Sequence, residues 1–366
     1  MVHFYESTLI DTVDGFQCKS YANEHPEGYV IVKPKYIPKE AIVGDGLRYR
    51  FLFEKCLVRF NLFAEKEKLK NYVEQFRKKF PEYIYDCSIT KNWFFVVPKN
   101  RIKTIHDGRK GLQELMKVPV KDLDEYLKLV RELIDFLAKS GVSSKHLGIT
   151  HSTLLGNYTP GKSDIDIIIY GKKNGWKILN YLKTAVHDKL HWKTDKEWAE
   201  YYKEHKTAES SHFTEQEYVK HMSRKKYEGL FGNTVFTLFT VEEPDETWFK
   251  WGEETYEPVG MATVAGKVAD DSNSHVRPGY YEIENGTIIE AGNAKIKIDN
   301  NIPIKRVVTY SIPFVQQAVV GENIKSCGLL ELVTTNKLEK YYRIVVGYFD
   351  AYTTNRRENE FIKTIT

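Results

Sequence analysis

At 366 residues, with 42% hydrophobic side chains and a formal charge of +4, the chain can bury a full core in two or three domains. The mild positive charge permits nucleic-acid binding without demanding it. The four cysteines (Cys18, Cys56, Cys87 and Cys327) form no CxxC pair, which argues against a disulfide framework or a sequence-local zinc site. No apolar run approaches membrane-spanning length. The start MVHFYESTLIDT lacks a basic region followed by an apolar core, so no signal peptide and a cytoplasmic location are expected.

Residues 1–118 read as a small α+β domain. Strands are expected at Thr8 to Asp11, Phe16 to Ala22, Tyr29 to Lys33 and Trp93 to Val97. A helical pattern from Phe60 to Lys79 places Leu62, Leu69, Tyr72 and Phe76 on one stripe and stops at Pro81. Between them Arg48, Arg50 and Arg59 interleave with Tyr49, Phe51, Phe53 and Phe60. The first reading is a half-buried strand with a solvated cationic face. The second is a surface for a nucleic-acid strand.

Residues 119–255 hold the chemistry. From Lys121 to Ser140, Leu123, Leu127, Val130, Ile134 and Leu137 make an amphipathic stripe, with Asp122 and Glu125 placed as a capping box and Gly141 as the stop. A short strand from His146 to Ile149, a turn at Thr150-His151-Ser152, a helical turn ending at Gly156 and a loop to Lys162 follow. Then comes Ser163-Asp164-Ile165-Asp166 and the β-branched run Ile167 to Tyr170, a buried strand bounded by Gly171. Alternation puts Asp164 and Asp166 on one face, and two adjacent carboxylates suit a hard divalent cation. The turn before them offers backbone N–H groups and a hydroxyl to an anion.

This stretch resembles the signature of the DNA polymerase beta-type nucleotidyltransferase superfamily. The resemblance makes Ser152 the phosphate-binding serine, Gly156 the second glycine, and Asp164 and Asp166 the ligands of Mg²⁺ or Mn²⁺. His151 stands where the pattern has glycine. His151, Lys162 and Ser163 fall within the expected nucleotide site. If His151 is an adaptation, its imidazole pairs with a phosphate oxygen; if it is a degeneration, it obstructs the turn.

Downstream, Trp176 to Leu190 reads as a helix with Ile178, Leu179, Leu182 and Val186 inward, and 192–218 as a polar stretch with surface histidines. Arg224, Lys225 and Lys226 precede a strand at Thr234 to Val241 and suit either a triphosphate or plain solvation. The superfamily uses a third carboxylate on that strand. Here it has no acid inside: Glu242, or Glu243 beside it at the strand's end, serves as the substitute, or the third acid lies elsewhere, or the site is metal-poor.

Residues 256–366 carry short β-rich runs: Met261 to Ala269, Gly279 to Ile283, Lys295 to Ile298, Arg306 to Ser311, Cys327 to Val333 and Tyr341 to Phe349. Turns such as Asn285-Gly286 and Gly292-Asn293 separate them. These suit an OB-like β-barrel. The run PFVQQAVVGENIKSCGLLELV resembles the C-terminal part of uncharacterised archaeal predicted nucleotidyltransferases. The expected whole is an α+β protein, a nucleotidyltransferase core flanked by a small N-terminal α+β domain and the barrel. The function this implies is metal-dependent transfer of NMP from an NTP to a hydroxyl, with RNA the expected acceptor. The alternatives are a nucleic-acid-binding protein with a degenerate site, and transfer to a small molecule or protein side chain. The oligomeric state is left open.

Overall fold

The computed structural model describes residues 3–52, 54–61, 65–205, 207, 210–292, 298–354 and 356–365. Phe53, Leu62, Asn293 and the run 295–297 lie outside the described residues. The protein is α+β, with mixed and antiparallel sheets. Two compact units divide it, and they do not follow three consecutive segments. The first comprises residues up to Leu9, Ile105–Lys206 and Phe213–Thr247; the second comprises Ile10–Thr104, Thr207–His212 and Trp248–Thr366. Among the described residues no helix is long and apolar enough to cross a membrane.

The first unit is built on a five-stranded sheet. Its order is Leu190–His191, Glu228–Phe231, Thr234–Val241, Ile165–Tyr170 and Leu147–Ile149. The strands Ile165–Tyr170 and Thr234–Val241 run parallel and the other pairs antiparallel. Ile165, Ile167, Ile168 and Ile169 are all buried, which is why an unbroken β-branched run sits at the middle of the sheet. Helix Gly108–Lys117 packs directly on Leu147–Ile149. A Cβ at Gly148 would come within 2.8 Å of the Gly108 backbone, and one at Gly108 within 2.6 Å of the Ile149 carbonyl oxygen, so both positions need glycine.

Helix Glu125–Ala138 buries Tyr126, Val130, Leu133, Ile134, Phe136 and Leu137. It begins after a short 3₁₀ turn at Val120–Asp122, and Asp124, not Asp122, caps it by accepting the Leu127 N–H at 2.8 Å. After the strand Ile165–Tyr170 comes helix Lys172–Leu182, earlier and shorter than expected. Val186 lies past its end and is exposed. The polar stretch that follows folds as two helices, Asp195–Glu204 and Glu215–Arg224, each opened by a full capping box, Thr194 with Glu197 and Thr214 with Glu217.

In the second unit, an N-terminal sheet runs from the edge strand Arg48–Leu52 through Lys55–Arg59, Tyr29–Pro38 and Gln17–Ser20 to Leu9–Thr12. Asn92–Pro98 pairs with both Tyr29–Pro38 and Ile84–Cys87. Helix Lys66–Lys79 buries Leu69, Tyr72, Val73 and Phe76 in a core of rings from Phe16, Phe60 and Phe95. In the C-terminal part, Glu254–Asp270 pairs with Gly279–Ala291, and that strand with Ile304–Thr309. Ile304–Thr309 lies parallel to Lys340–Val346, which pairs with Asn323–Thr335. Asn323–Thr335 pairs back with Glu254–Asp270, so the pairings return to the first strand. The N- and C-terminal parts share one core. The Tyr21 hydroxyl donates to the Tyr310 carbonyl at 2.7 Å, and the rings of Tyr21 and Trp93 stack on Phe349.

Candidate functional site

Helix Glu125–Ala138 fixes the entry of the aspartate strand. The Tyr126 hydroxyl donates to the Asp164 carbonyl at 2.9 Å and shares a hydrogen bond with Thr153 Oγ1 at 2.7 Å. Its ring stacks on Tyr158, whose hydroxyl donates to Asp124. Burial pushes the Tyr126 phenol up to about 12, and the nearby charges of Asp166 and Asp164 push the same way. The phenol therefore stays protonated as a donor across the physiological range.

Asp164 stands exposed at the strand entry and Asp166 is half-buried two residues on. Partial withdrawal from water, and then the Asp166 charge, hold the Asp164 carboxyl above its usual range. A like-charge pair of hard oxygen donors is what a divalent cation relieves, so the donors present fit Mg²⁺ or Mn²⁺. Yet among the described residues no group of three or more His, Cys, Asp or Glu is assembled to hold a metal.

The turn before the strand departs from the glycine pattern in two ways. His151 itself adopts a left-handed backbone, φ +51°, and its Nδ1 lies 3.0 Å from Asp166 Oδ2. Its ring also stands edge-on to Phe239. The imidazole is thus directed at the carboxylate. Ser152 is half-buried; its carbonyl accepts the N–H groups of Gly156 and Asn157, and its hydroxyl makes no hydrogen bond among the described residues. Gly156, at φ +70°, ends the turn with open space around it. Ser163 is committed to the loop: its hydroxyl accepts the Thr159 N–H at 2.8 Å. Lys162 is exposed.

The register supplies a third carboxylate that the sequence pattern did not reveal. Asp166 lies opposite Thr237, and Thr237 lies opposite Glu228 on the next strand. Residues aligned across neighbouring strands share a face, so Asp166, Thr237 and Glu228 form one row. Burial raises the Glu228 carboxyl. Lys193 and Lys225 draw it down, while Asp164 and Asp166 push it further up. Lys225 is buried, not displayed to solvent. Burial, reinforced by Arg224 and opposed by Glu228, lowers its ammonium to about 7.

Glu242 stands elsewhere, which corrects the sequence expectation. Val241 is opposite Tyr170, so Glu242 lies about five residues along the strands from the Asp166 row, roughly 17 Å at strand rise. It is buried and pairs with Lys172 Nζ at 3.2 Å. Glu243 joins Arg109 and the Tyr5 hydroxyl at that same far end, where the Arg109 guanidinium lies 3.7 Å over the Tyr170 ring. One signal for Glu228 was present. Gly232-Asn233 is a two-residue hairpin loop that sets Phe231 opposite Thr234, and hence Glu228 opposite Thr237.

Fold and site together define an α+β protein whose mixed sheet carries a row of carboxylates beside a short helical turn. The chain belongs to the family of the "Uncharacterized protein MJ1086" of Methanocaldococcus jannaschii, to which it is 30% identical over 360 residues, 97% of each chain. No family model matches it. No solved structure matches it.

Proposed function

We propose that the first unit is a nucleotidyltransferase core that moves NMP from an NTP to a hydroxyl, with RNA as the acceptor. The observation that carries this reading is the Asp166–Thr237–Glu228 row, with Asp164 immediately before the strand that carries Asp166. Asp164 and Asp166 would hold Mg²⁺ or Mn²⁺, which supplies charge neutralisation at the triphosphate. Ser152 would donate its hydroxyl to a phosphate oxygen. Glu228, poised by burial between lysines and aspartates, takes the proton of the acceptor hydroxyl. The hydroxyl oxygen then bonds the α-phosphorus and pyrophosphate leaves. The closed cycle of pairings in residues 254–346, with one parallel pair, supports reading that part as an OB-like barrel.

The test is incubation with labelled NTPs, Mg²⁺ or Mn²⁺ and total cellular RNA. Wild type transfers label to RNA; Asp166→Asn and Glu228→Gln do not. A second reading, an RNA-binding protein with a degenerate site, is favoured by the His151–Asp166 pair, which occupies one of the two carboxylates. Under it, RNA is bound, no label moves with any NTP, and the transferase reading fails.

A further inference from the structure

The ribbon formed by Arg48–Leu52 and Lys55–Arg59 is a surface that the site above does not use. Its outer strand is the edge of the N-terminal sheet. A half-buried strand would hide alternate residues. Here Arg48, Tyr49, Arg50 and Phe51 are all exposed, with Tyr49 at 58% and Phe51 at 75%, so both faces of the strand meet solvent. Two large rings left in water on an edge strand cost hydrophobic free energy and invite association.

The two faces differ in chemistry. Alternation places Tyr49 and Phe51 together on one face and Arg48 and Arg50 on the other. The register adds Arg59 directly opposite Arg48, and Lys55 opposite Leu52, to the cationic face. Like charges set opposite each other on a ribbon destabilise it. The arginine pair has little local relief: Glu54 at the turn is the sole acid in 48–59. Among the described residues Arg48, Arg50 and Lys55 make no ion pair, and Arg59 reaches only Tyr36, whose hydroxyl it meets at 3.5 Å.

We propose that this ribbon binds a single strand of nucleic acid that straddles the edge, phosphates toward Arg48, Arg50 and Arg59, bases toward Tyr49 and Phe51. Two residues along a strand span about 6.6–6.8 Å, twice the ~3.4 Å separation of stacked bases, so one base fits between the two rings. Aromatic platforms beside cations bind single strands in this way with little sequence preference. A second copy of this chain is a poorer occupant. Antiparallel edge-to-edge pairing about a twofold axis would set arginine rows against each other. The proposal is independent of the transferase reading, since it concerns binding alone and a different unit.

The test uses the full-length protein and fluorescein-labelled 12-nucleotide oligo(U), with the matching RNA duplex as comparison, followed by anisotropy over a salt series. Wild type binds oligo(U) more tightly than the duplex. Tyr49→Ala/Phe51→Ala weakens binding at least tenfold with the salt slope unchanged. Arg48→Ala/Arg50→Ala weakens binding and lowers the slope of log K against log salt by about 1.4, two phosphate contacts on a single strand. All four residues are exposed, so circular dichroism spectra should match wild type. Equal oligo(U) affinity in both variants overturns the proposal, as does a preference for duplex. A concentration-dependent dimer in sedimentation that Tyr49→Ala/Phe51→Ala dissolves also overturns it, and gives the edge to a second copy.

Discussion

His151 reaches Asp166 across 3.0 Å, Nδ1 to Oδ2, from a backbone held at φ +51°. A side chain in a conformation suited to glycine here supplies a polar partner to one of the two aspartates. The left-handed backbone costs about 1 kcal/mol or more for a residue with a Cβ. The contact with Asp166 offsets part of that cost and competes with any cation for the same oxygen.

Replacing His151 separates these two effects. His151→Gly removes both the strain and the competitor; His151→Ala removes only the competitor. Binding of an NTP with Mn²⁺ should tighten several-fold in both variants by isothermal titration. The glycine protein should also be more stable than the alanine protein by about 1 kcal/mol. Weaker nucleotide binding in both would show instead that the imidazole serves the phosphates.

Glu228 and Glu242 should fail in different ways. At pH 8.5, where the folded Lys225 ammonium is mostly deprotonated, Glu228→Gln is expected to keep the melting temperature within a few degrees and to reduce label transfer by at least a hundredfold, the scale of losing a general base. Glu242→Gln breaks a buried carboxylate's pair with Lys172. It should cost about 1–3 kcal/mol, less than for a fully buried pair because Lys172 is partly exposed. Transfer per folded molecule should persist. Thermal melts beside the transfer assay read both.

Local physics made much of this legible. The β-branched run after Asp166 had to be a buried strand, and the stripe from Val130 to Leu137 had to be a helix. The capping boxes at Thr194 and Thr214 were equally local, and announce the two helices that a polar composition disguised. The place of Glu228 in the Asp166 row was hidden because it depends on which strand lies beside Ile165–Tyr170, a pairing across some 70 residues that no periodicity encodes. The exposed ribbon at 48–59 was hidden for a related reason. Alternation shows that a strand has two faces, not whether anything packs on either.

The second unit contains an ion pair almost wholly buried from water. Arg343 Nε donates to Glu331 Oε2 at 2.7 Å, its Nη2 donates to the Tyr348 hydroxyl at 2.8 Å, and its guanidinium lies 3.5 Å over the Tyr256 ring. Burial pushes the Glu331 carboxyl up and Arg343 pulls it down. Glu331→Gln leaves the guanidinium buried without its counter-charge and should cost about 3–5 kcal/mol in urea denaturation. Glu331→Leu combined with Arg343→Met should cost far less than either single change. Additive losses would mean that the two residues do not act as a pair.

Lys225 gives a stability that depends on pH in a defined direction. Burial, reinforced by Arg224 and opposed by Glu228, lowers its folded ammonium to about 7. In the unfolded chain it titrates at the ordinary lysine value of about 10.4. Below pH 7 both states are protonated, and folding carries the full cost of burying the charge. Between about 7 and 10 the unfolded chain binds one more proton than the folded one, so this residue's contribution to stability rises with pH. Lys225→Met should therefore stabilise the protein most at pH 6, by a few kcal/mol at most, since each tenfold change in proton affinity between the two states is worth about 1.4 kcal/mol. The gain should shrink towards pH 10, and the closing of the gap between the two proteins is what urea titrations across that range would measure. A gap that stays constant from pH 6 to 9.5 would mean that Lys225 keeps its proton when folded. Glu228→Gln, which removes the opposing carboxylate, should move the Lys225-dependent rise to lower pH.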